Sequence, residues 1–401
     1  MESLCSNLIE TYNTNYLDSE NLITQNSFYE TSDKHKDGEK GRTTLMKCIV
    51  NHFTKQKPKV KYIGGPISLS YHRKDGKQIY IFGEYHYPDI DCPPQAEIMK
   101  VEDYLYEVLK NTDVFLDIYF ELDPPEGRGS SYENYDNKYR LICLFFKFKE
   151  CIASATRFDD ICRLARIHYT DYRHIRKKSS RITNFYLSLS DYTGYPNIDK
   201  LFSESSIEVL NILSMRNGED EYVNLFLGMI RENYYLVKEL DKSLLKNDIE
   251  FFTMIKIKSI IKERKNLITD ISNIILGLYE QYKLGIVTWV LINNIKNSVS
   301  LLKTYIIGII AKEMDLYLLA RVFRKFDITR PYAKPNQKDD KYTDQPVEPH
   351  NIVIYAGDLH SYNCREFLSY IGFEEVNIIE KNDYDTCLDV RKFPQPFFSS
   401  E

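Results

Sequence analysis

Between Pro196 and Pro331 the chain contains no proline, and its apolar residues recur every three to four positions. Proline removes a backbone donor and breaks helices, so a proline-free run of this length and periodicity admits helix after helix. The segment is expected to form an all-helical insertion or cap over residues 181–310. The text on either side has another texture. Ile67–Tyr71 and Gln78–Phe82 are strand-like runs flanking Asp75-Gly76, a pair suited to a tight hairpin turn. Asp113–Leu122 is a compact, largely apolar run, and Asn351–Ala356 and Val376–Ile379 repeat that texture late in the chain. After Pro93-Pro94, which can open a helix, Ile98, Val101, Leu105 and Val108 recur at helical spacing. Strand, helix and strand in that order imply neighbouring parallel strands joined by a right-handed crossover. The expected fold class is therefore α/β. An open, mainly parallel sheet flanked by helices occupies residues 58–180 and 311–390 and carries the large all-helical insertion. Residues 1–57 are expected as an N-terminal extension with a polar linker, and residues 391–401 as a tail.

Composition narrows the partners. Hydrophobic residues at 43% and charged residues at 28% suffice for a sizeable core. A net charge of -5 supplies no basic face, so no nucleic-acid partner is expected. The apolar stretches Leu284–Ile292 and Tyr305–Ala311 are too short to span a bilayer; they are expected as buried helices, and no membrane partner is expected. The first twenty residues lack the basic start and apolar run of a signal peptide. The eight cysteines form no C-x-x-C pair, which points to reduced thiols and a cytoplasmic location.

Two segments carry the chemistry. Ile79–Phe82 leads into Gly83-Glu84-Tyr85-His86, and Ile352–Ala356 leads into Gly357-Asp358-Leu359-His360. Each is an apolar strand, a glycine, then an acid and a histidine two apart, so the paired side chains point to one side if strand geometry persists. Glycine lets backbone or ligand approach closely where the chain leaves the sheet. In open parallel sheets ligands gather at the carboxyl ends of the strands, where both pairs and Glu121 belong. Imidazole and carboxylate together can take a proton from water, or hold a divalent metal that lowers the pKa of a bound water.

This pattern resembles the erythromycin-esterase, ChaN-like and TraB/Tiki superfamily. Its members share a strand ending in G-E-x-H, a following helix, a strand ending in Glu and a late strand ending in G-x-x-H. The resemblance implies a site built from Glu84, His86, Glu121 and His360. It also implies an arginine on the helix before the last motif strand, a part Arg321 fits, and a short strand ending in Asp, matched by Arg166–Arg173 with Asp171 and Arg173.

The roles expected are a general base, His86 or His360, with Arg321 stabilising developing negative charge. Alternatively Glu84, His86, Glu121 and His360 hold a divalent metal. The reaction would be hydrolysis of an ester, amide or related bond in a small-molecule or peptide substrate. Against this stands a non-catalytic binding or structural protein, for example of a large DNA virus, that retains the fold. Asp358 could instead cap the helix after it, Asp117 in the same strand is an alternative to Glu121 that would need a partner if buried, and His168, Asp171 and Arg173 are expected as structural residues. His72 is expected in an exposed hairpin.

Overall fold

Asp75 and Gly76 adopt positive φ angles of 48° and 78°, which closes the hairpin between β2 (Ser68–Lys74) and β3 (Lys77–Glu84). In this computed structural model the described residues are 60–86, 90–93, 97–122, 140–153, 164–171, 181–189, 198–286, 288–327, 346–380, 386–395 and 397–398. The expected extension over 1–57 lies outside them.

The hairpin belongs to a six-stranded sheet of order β6-β5-β7-β3-β2-β8, with β5 at Leu116–Phe120, β6 at Ala165–Tyr169, β7 at Asn351–Gly357 and β8 at Glu374–Ile379. β3, β7, β5 and β6 pair in parallel, while β2 is antiparallel to both β3 and β8. The sheet is thus largely parallel, with β2 alone reversed. Side chains alternate across it. Ile79, Ile81, Tyr119, Ile352 and Ile354 join one core with residues of the long helices, and Phe120 on the opposite face meets Phe148 at a ring distance of 5.6 Å. Burial on both faces is why β3, β5 and β7 read as nearly continuous apolar runs.

One expectation about the crossover fails. β3, α1 (Val101–Asn111) and β5 follow one another in sequence, but β7 lies between β3 and β5, paired with both. The strands are parallel yet not neighbours, because a strand from the far end of the chain is inserted. Local order cannot reveal that. Ile98–Lys100 forms a short strand, β4, rather than the start of the helix; it pairs with β1 (Tyr62–Gly64), whose other side takes β9 (Cys387–Asp389). This small sheet brings Cys92 and Cys387 to a Cα separation of 5.2 Å, and they form a disulfide. Reduced thiols are therefore not what the structure has at this pair. The two cysteines are 295 residues apart, so spacing rules have nothing to read.

α2 (Arg140–Ala153) lies between β5 and β6 in the chain, and the helical segment follows β6. It comprises α3 (Arg181–Ser188), α4 (Ile198–Leu201), α5 (Glu204–Leu213), α6 (Glu219–Glu232), α7 (Tyr234–Leu240), α8 (Lys246–Lys283) and α9 (Trp289–Val322). The expected boundary at residue 310 falls inside α9. Leu291 to Ile310 of that helix pack among the other helices, whereas Met314 to Val322 pack against the sheet. Leu284–Ile292 is not the buried helix expected: Leu284, Ile286, Trp289 and Val290 are exposed at the turn between α8 and α9. In Tyr305–Ala311, Ile306, Ile309 and Ile310 are buried as expected, and Ile307 is exposed. No described helix is long and apolar enough to cross a membrane. α10 (Asp358–Tyr370) leads from β7 toward β8, and Gly372 follows it with φ of 80°.

Candidate functional site

The register of β3 against β7 sets Glu84 beside Gly357, so the two motifs meet at the carboxyl ends of two adjacent parallel strands. The strand ends at Glu84, and His86 adopts a left-handed φ of 57°, which is costly for a side chain with a Cβ and is found where surrounding contacts enforce it. The contact here is with Glu84. His86 Nδ1 lies 2.6 Å from Glu84 Oε1, so the pair shares one side of the chain, although through a turn rather than through continued strand geometry. The other Glu84 oxygen accepts from the Tyr355 hydroxyl. Glu84 is buried, while the His86 side chain is 47% exposed. The Glu84 hydrogen bond raises the His86 pKa above its ordinary 6.5; burial opposes the rise, the Glu84 and Glu121 charges add to it, and His360 works against it.

Glu121 follows β5 and is buried. Its Oε2 accepts the Gly357 N–H at 2.6 Å and lies 3.9 Å from His86 Nε2, while Oε1 lies 3.5 Å from His360 Nε2. A Cβ at Gly357 would fall 2.8 Å from His86 Nε2 and 3.2 Å from Glu121 Oε2. Glycine is needed there because the imidazole and the carboxylate occupy that space. Gly83 answers the same need at the second motif, where a Cβ would collide with Asp358 Oδ1 and Ser68 Oγ.

β7 ends at Gly357, so His360 sits in the first turn of α10 rather than on an extended strand end. Its Nδ1 lies 2.5 Å from Asp315 Oδ1, and the other Asp315 oxygen accepts from Asn363 at 2.7 Å and Lys312 at 3.2 Å. Neither Asp315 nor Tyr355 belongs to the sequence motifs. A signal for Asp315 is present nonetheless: Lys312, Glu313 and Asp315 interrupt an otherwise apolar stretch of α9, and all three are buried.

Glu84, His86, Glu121 and His360 are thus brought together, with His86 and His360 each held at Nδ1 by a carboxylate and each turning Nε2 toward Glu121. Asp358 does not join them. It opens α10, where it accepts from Ser68 at 2.6 Å and lies 3.6 Å from Arg365. Arg321 belongs to a different network: it donates to Glu239 at 3.4 Å and to His168 Nδ1 at 3.1 Å. His168 in turn bonds Asp117 at 2.8 Å, and Arg166 donates to the same Asp117 oxygen at 2.6 Å. Arg321 is nearly two turns beyond Asp315 on α9, about 9 Å along the axis at 1.5 Å per residue. Asp171 is buried after β6, its N–H donating to Leu122 O at 3.2 Å, and Arg173 lies outside the described residues. His72, expected in an exposed hairpin, is buried on β2 against Ser70 Oγ at 2.9 Å because β2 is flanked by β3 and β8.

Among the described residues no group of three or more His, Cys, Asp and Glu side chains is spaced to hold a metal ion. Glu84 in particular spends both oxygens on His86 and Tyr355, which makes it an orienting group rather than a ready ligand. What the four residues can do unaided is proton transfer. Each Nδ1–H donated to a carboxylate fixes the tautomer, leaving Nε2 to accept or give a proton. Comparison of the chain with protein-family models, characterised proteins and solved structures finds no match.

Proposed function

We propose that the protein is a hydrolase of an ester, amide or related bond, acting on a small-molecule or peptide substrate at the Glu84–His86 and Asp315–His360 pairs. The observation that carries this reading is the mirrored arrangement of two carboxylate-oriented imidazoles about one buried carboxylate, Glu121. His86, the more exposed imidazole, takes a proton from water through Nε2 as the water attacks the substrate carbonyl, while Glu84 stabilises the imidazolium that forms. His360, protonated at Nε2 and held by Asp315, returns a proton to the leaving oxygen or nitrogen. The Glu121 charge favours the protonated form of His86. General acid–base help of this kind is worth about 10²–10⁴-fold in rate.

The test is a panel of chromogenic esters and peptides assayed with the unmodified protein, His86→Ala and His360→Ala. Hydrolysis abolished by both substitutions in folded protein supports the reading; hydrolysis that survives both, or is absent from the unmodified protein across the panel, overturns it. The divalent metal expected at the same residues is tested separately by metal analysis of the purified protein. The proton transfers proposed do not depend on it.

A further inference from the structure

The segment that leaves the site after His86 is clasped to the far end of the chain. A Cβ on Gly64 would fall 2.7 Å from Ile90 Cγ2, the Asp91 N–H donates to Thr386 Oγ1 at 2.7 Å, and Cys92 is bonded to Cys387. Ile90 follows His86 by four residues, so the clasp begins within about 14 Å of chain from the imidazole. A second route reaches the same place through the backbone. The Gly65 N–H donates to Thr386 O at 2.8 Å, and two residues on the Ile67 N–H donates to Gly83 O at 2.8 Å, directly before Glu84. Cys387 therefore sits beside the chain that supports Glu84, and Cys92 on the chain that carries His86.

The two halves of the clasp are held unequally. β9 pairs with β1 at three positions, and Leu388, Val390 and Phe393 beyond Cys387 are buried, so apolar packing holds that half without the sulfur bridge. Ile90, Cys92 and Pro93 are only partly buried and Asp91 is exposed. With so little apolar burial, this half relies on the crosslink to stay ordered. Cys92 is also the half that a reductant reaches first, because Cys387 is 2% exposed. Exchange with a dithiol balances. One thiolate of the dithiol attacks Cys92 Sγ and expels Cys387 as a thiolate, which takes up a proton. The second thiol then displaces Cys92 and closes a disulfide within the reductant. Two electrons and two protons pass to the protein, and the docked β9 keeps Cys387 in place for the reverse exchange with a disulfide.

We propose that the Cys92–Cys387 disulfide is a redox clasp on the His86 segment: reduction by a dithiol releases residues 90–93 and loosens the His86–Glu84 pairing, and reoxidation restores both. Its effect on the rate rests on the reading of His86 as the base; the loosening does not. The full chain, oxidised and then reduced with dithiothreitol, is compared by hydrogen exchange, with alkylation of Cys92 and Cys387 confirming reduction. Expected on reduction is exchange at least about tenfold faster at Tyr85, His86, Ile90, Asp91 and Cys92, with Leu388, β5 and β7 unchanged. Diethylpyrocarbonate should modify His86 faster and His360 at its former rate. Cys92→Ser should behave without reductant as the reduced protein does. The hydrolytic rate should fall at least about tenfold on reduction and return on reoxidation with oxidised glutathione. Unchanged exchange at 90–92 after full reduction overturns the clasp. So does loosening that spreads to Leu388 and β7, which would make the bond a staple of the whole fold. Faster exchange with hydrolysis unaffected overturns control of the site. Faster exchange with no hydrolysis in either state supports the clasp and counts against the hydrolase instead. Exchange is read on the unmodified protein, so the test stands if Cys92→Ser fails to fold.

Discussion

His360 Nδ1 lies 2.5 Å from Asp315 Oδ1, which ties the first turn of α10 to the C-terminal part of α9. Asp315→Asn replaces an acceptor of charge by a neutral amide that can present its N–H₂ to the imidazole and favour the wrong tautomer. In the proposed reaction kcat is expected to fall about 10²-fold, at the lower end of general acid–base effects, with little change in KM. The substitution also leaves Lys312 buried without its counter-charge, so the melting temperature should fall as well. Kinetics and a thermal melt on the same preparation check both. An unchanged kcat would remove His360 from the chemistry.

The pH dependence of activity follows from His86. Its pKa is raised chiefly by the Glu84 hydrogen bond, and the proposed base must be neutral. The acidic limb of kcat/KM is therefore expected above pH 6.5, and Glu84→Gln should move it downward. A profile whose limb is unmoved by Glu84→Gln would separate the pair from the reaction.

Stability should respond to pH in two directions. Burial lowers the His168 pKa to about 4 and that of His72 to about 4 as well. Both imidazoles stay neutral in the fold, and their unfolded forms bind protons below pH 6.5, so stability is lost as pH falls from about 6.5 to about 4. His86 acts oppositely: its stabilisation is complete below 6.5 and disappears as pH rises through its raised pKa. Because its side chain is 47% exposed, solvent screens that effect and the acid-side loss should dominate. Urea melts between pH 4 and 8 test the balance. They should show the steeper change on the acid side, and replacing His168 by a neutral residue should flatten it.

The elements that sequence reveals best are those whose signal is local. β3, β5 and β7 read as apolar runs, and α8 and α9 as proline-free periodicity, because burial of a face imposes a period on neighbouring residues. Glu84, His86, Glu121 and His360 are legible because each lies at or just past the carboxyl end of a parallel strand. What stays hidden depends on pairs distant in sequence. The insertion of β7 between β3 and β5, the Cys92–Cys387 disulfide and the reach of Asp315 to His360 are made by topology. Arg321 shows the reverse error. Its place on the helix before β7 fits the pattern, but nearly two turns of α9 carry it to Glu239 and His168 instead.

The two motif glycines should differ in what they cost. At Gly357 an added methyl meets the far edge of the half-exposed His86 ring, which can move away at small cost to the fold, and crowds Glu121 Oε2 at 3.2 Å, which need shift only slightly. Gly357→Ala should melt close to the unmodified protein yet lose activity, since the imidazole displaced is the proposed base. At Gly83 the methyl meets Ser68 Oγ, Asp358 Oδ1 and, at 3.1 Å, the Asp358 Cα itself. Backbone cannot step aside cheaply, so Gly83→Ala should destabilise by about 1–3 kcal/mol, the usual cost of overpacking. Equal melting temperatures for the two variants would count against so close an approach of α10 to β3.

Asp117 supplies the last prediction, because it separates structure from chemistry. It lies fully buried on β5, where Arg166 and His168 both reach it, and His168 is stacked on Tyr119 at a ring distance of 4.2 Å. The Arg166 guanidinium also donates to Pro346 O at 3.2 Å and lies 3.8 Å from the Phe326 ring, so the charge cannot swing out to water without breaking those contacts. Asp117→Ala leaves that guanidinium facing a vacated pocket and removes the acceptor of His168. Breaking a buried ion pair by deleting one partner costs about 3–5 kcal/mol, a large share of the stability of an ordinary domain. The Asp117 network is built on β5, β6 and the end of α9, apart from the contacts that hold His86 and His360. At a temperature where the variant stays folded, kcat per folded molecule should therefore match that of the unmodified protein. A variant as stable as its parent would show that Arg166 finds compensation elsewhere. One that stays stable but loses activity would place the Asp117 network in the reaction and move the site away from Glu84 and His86.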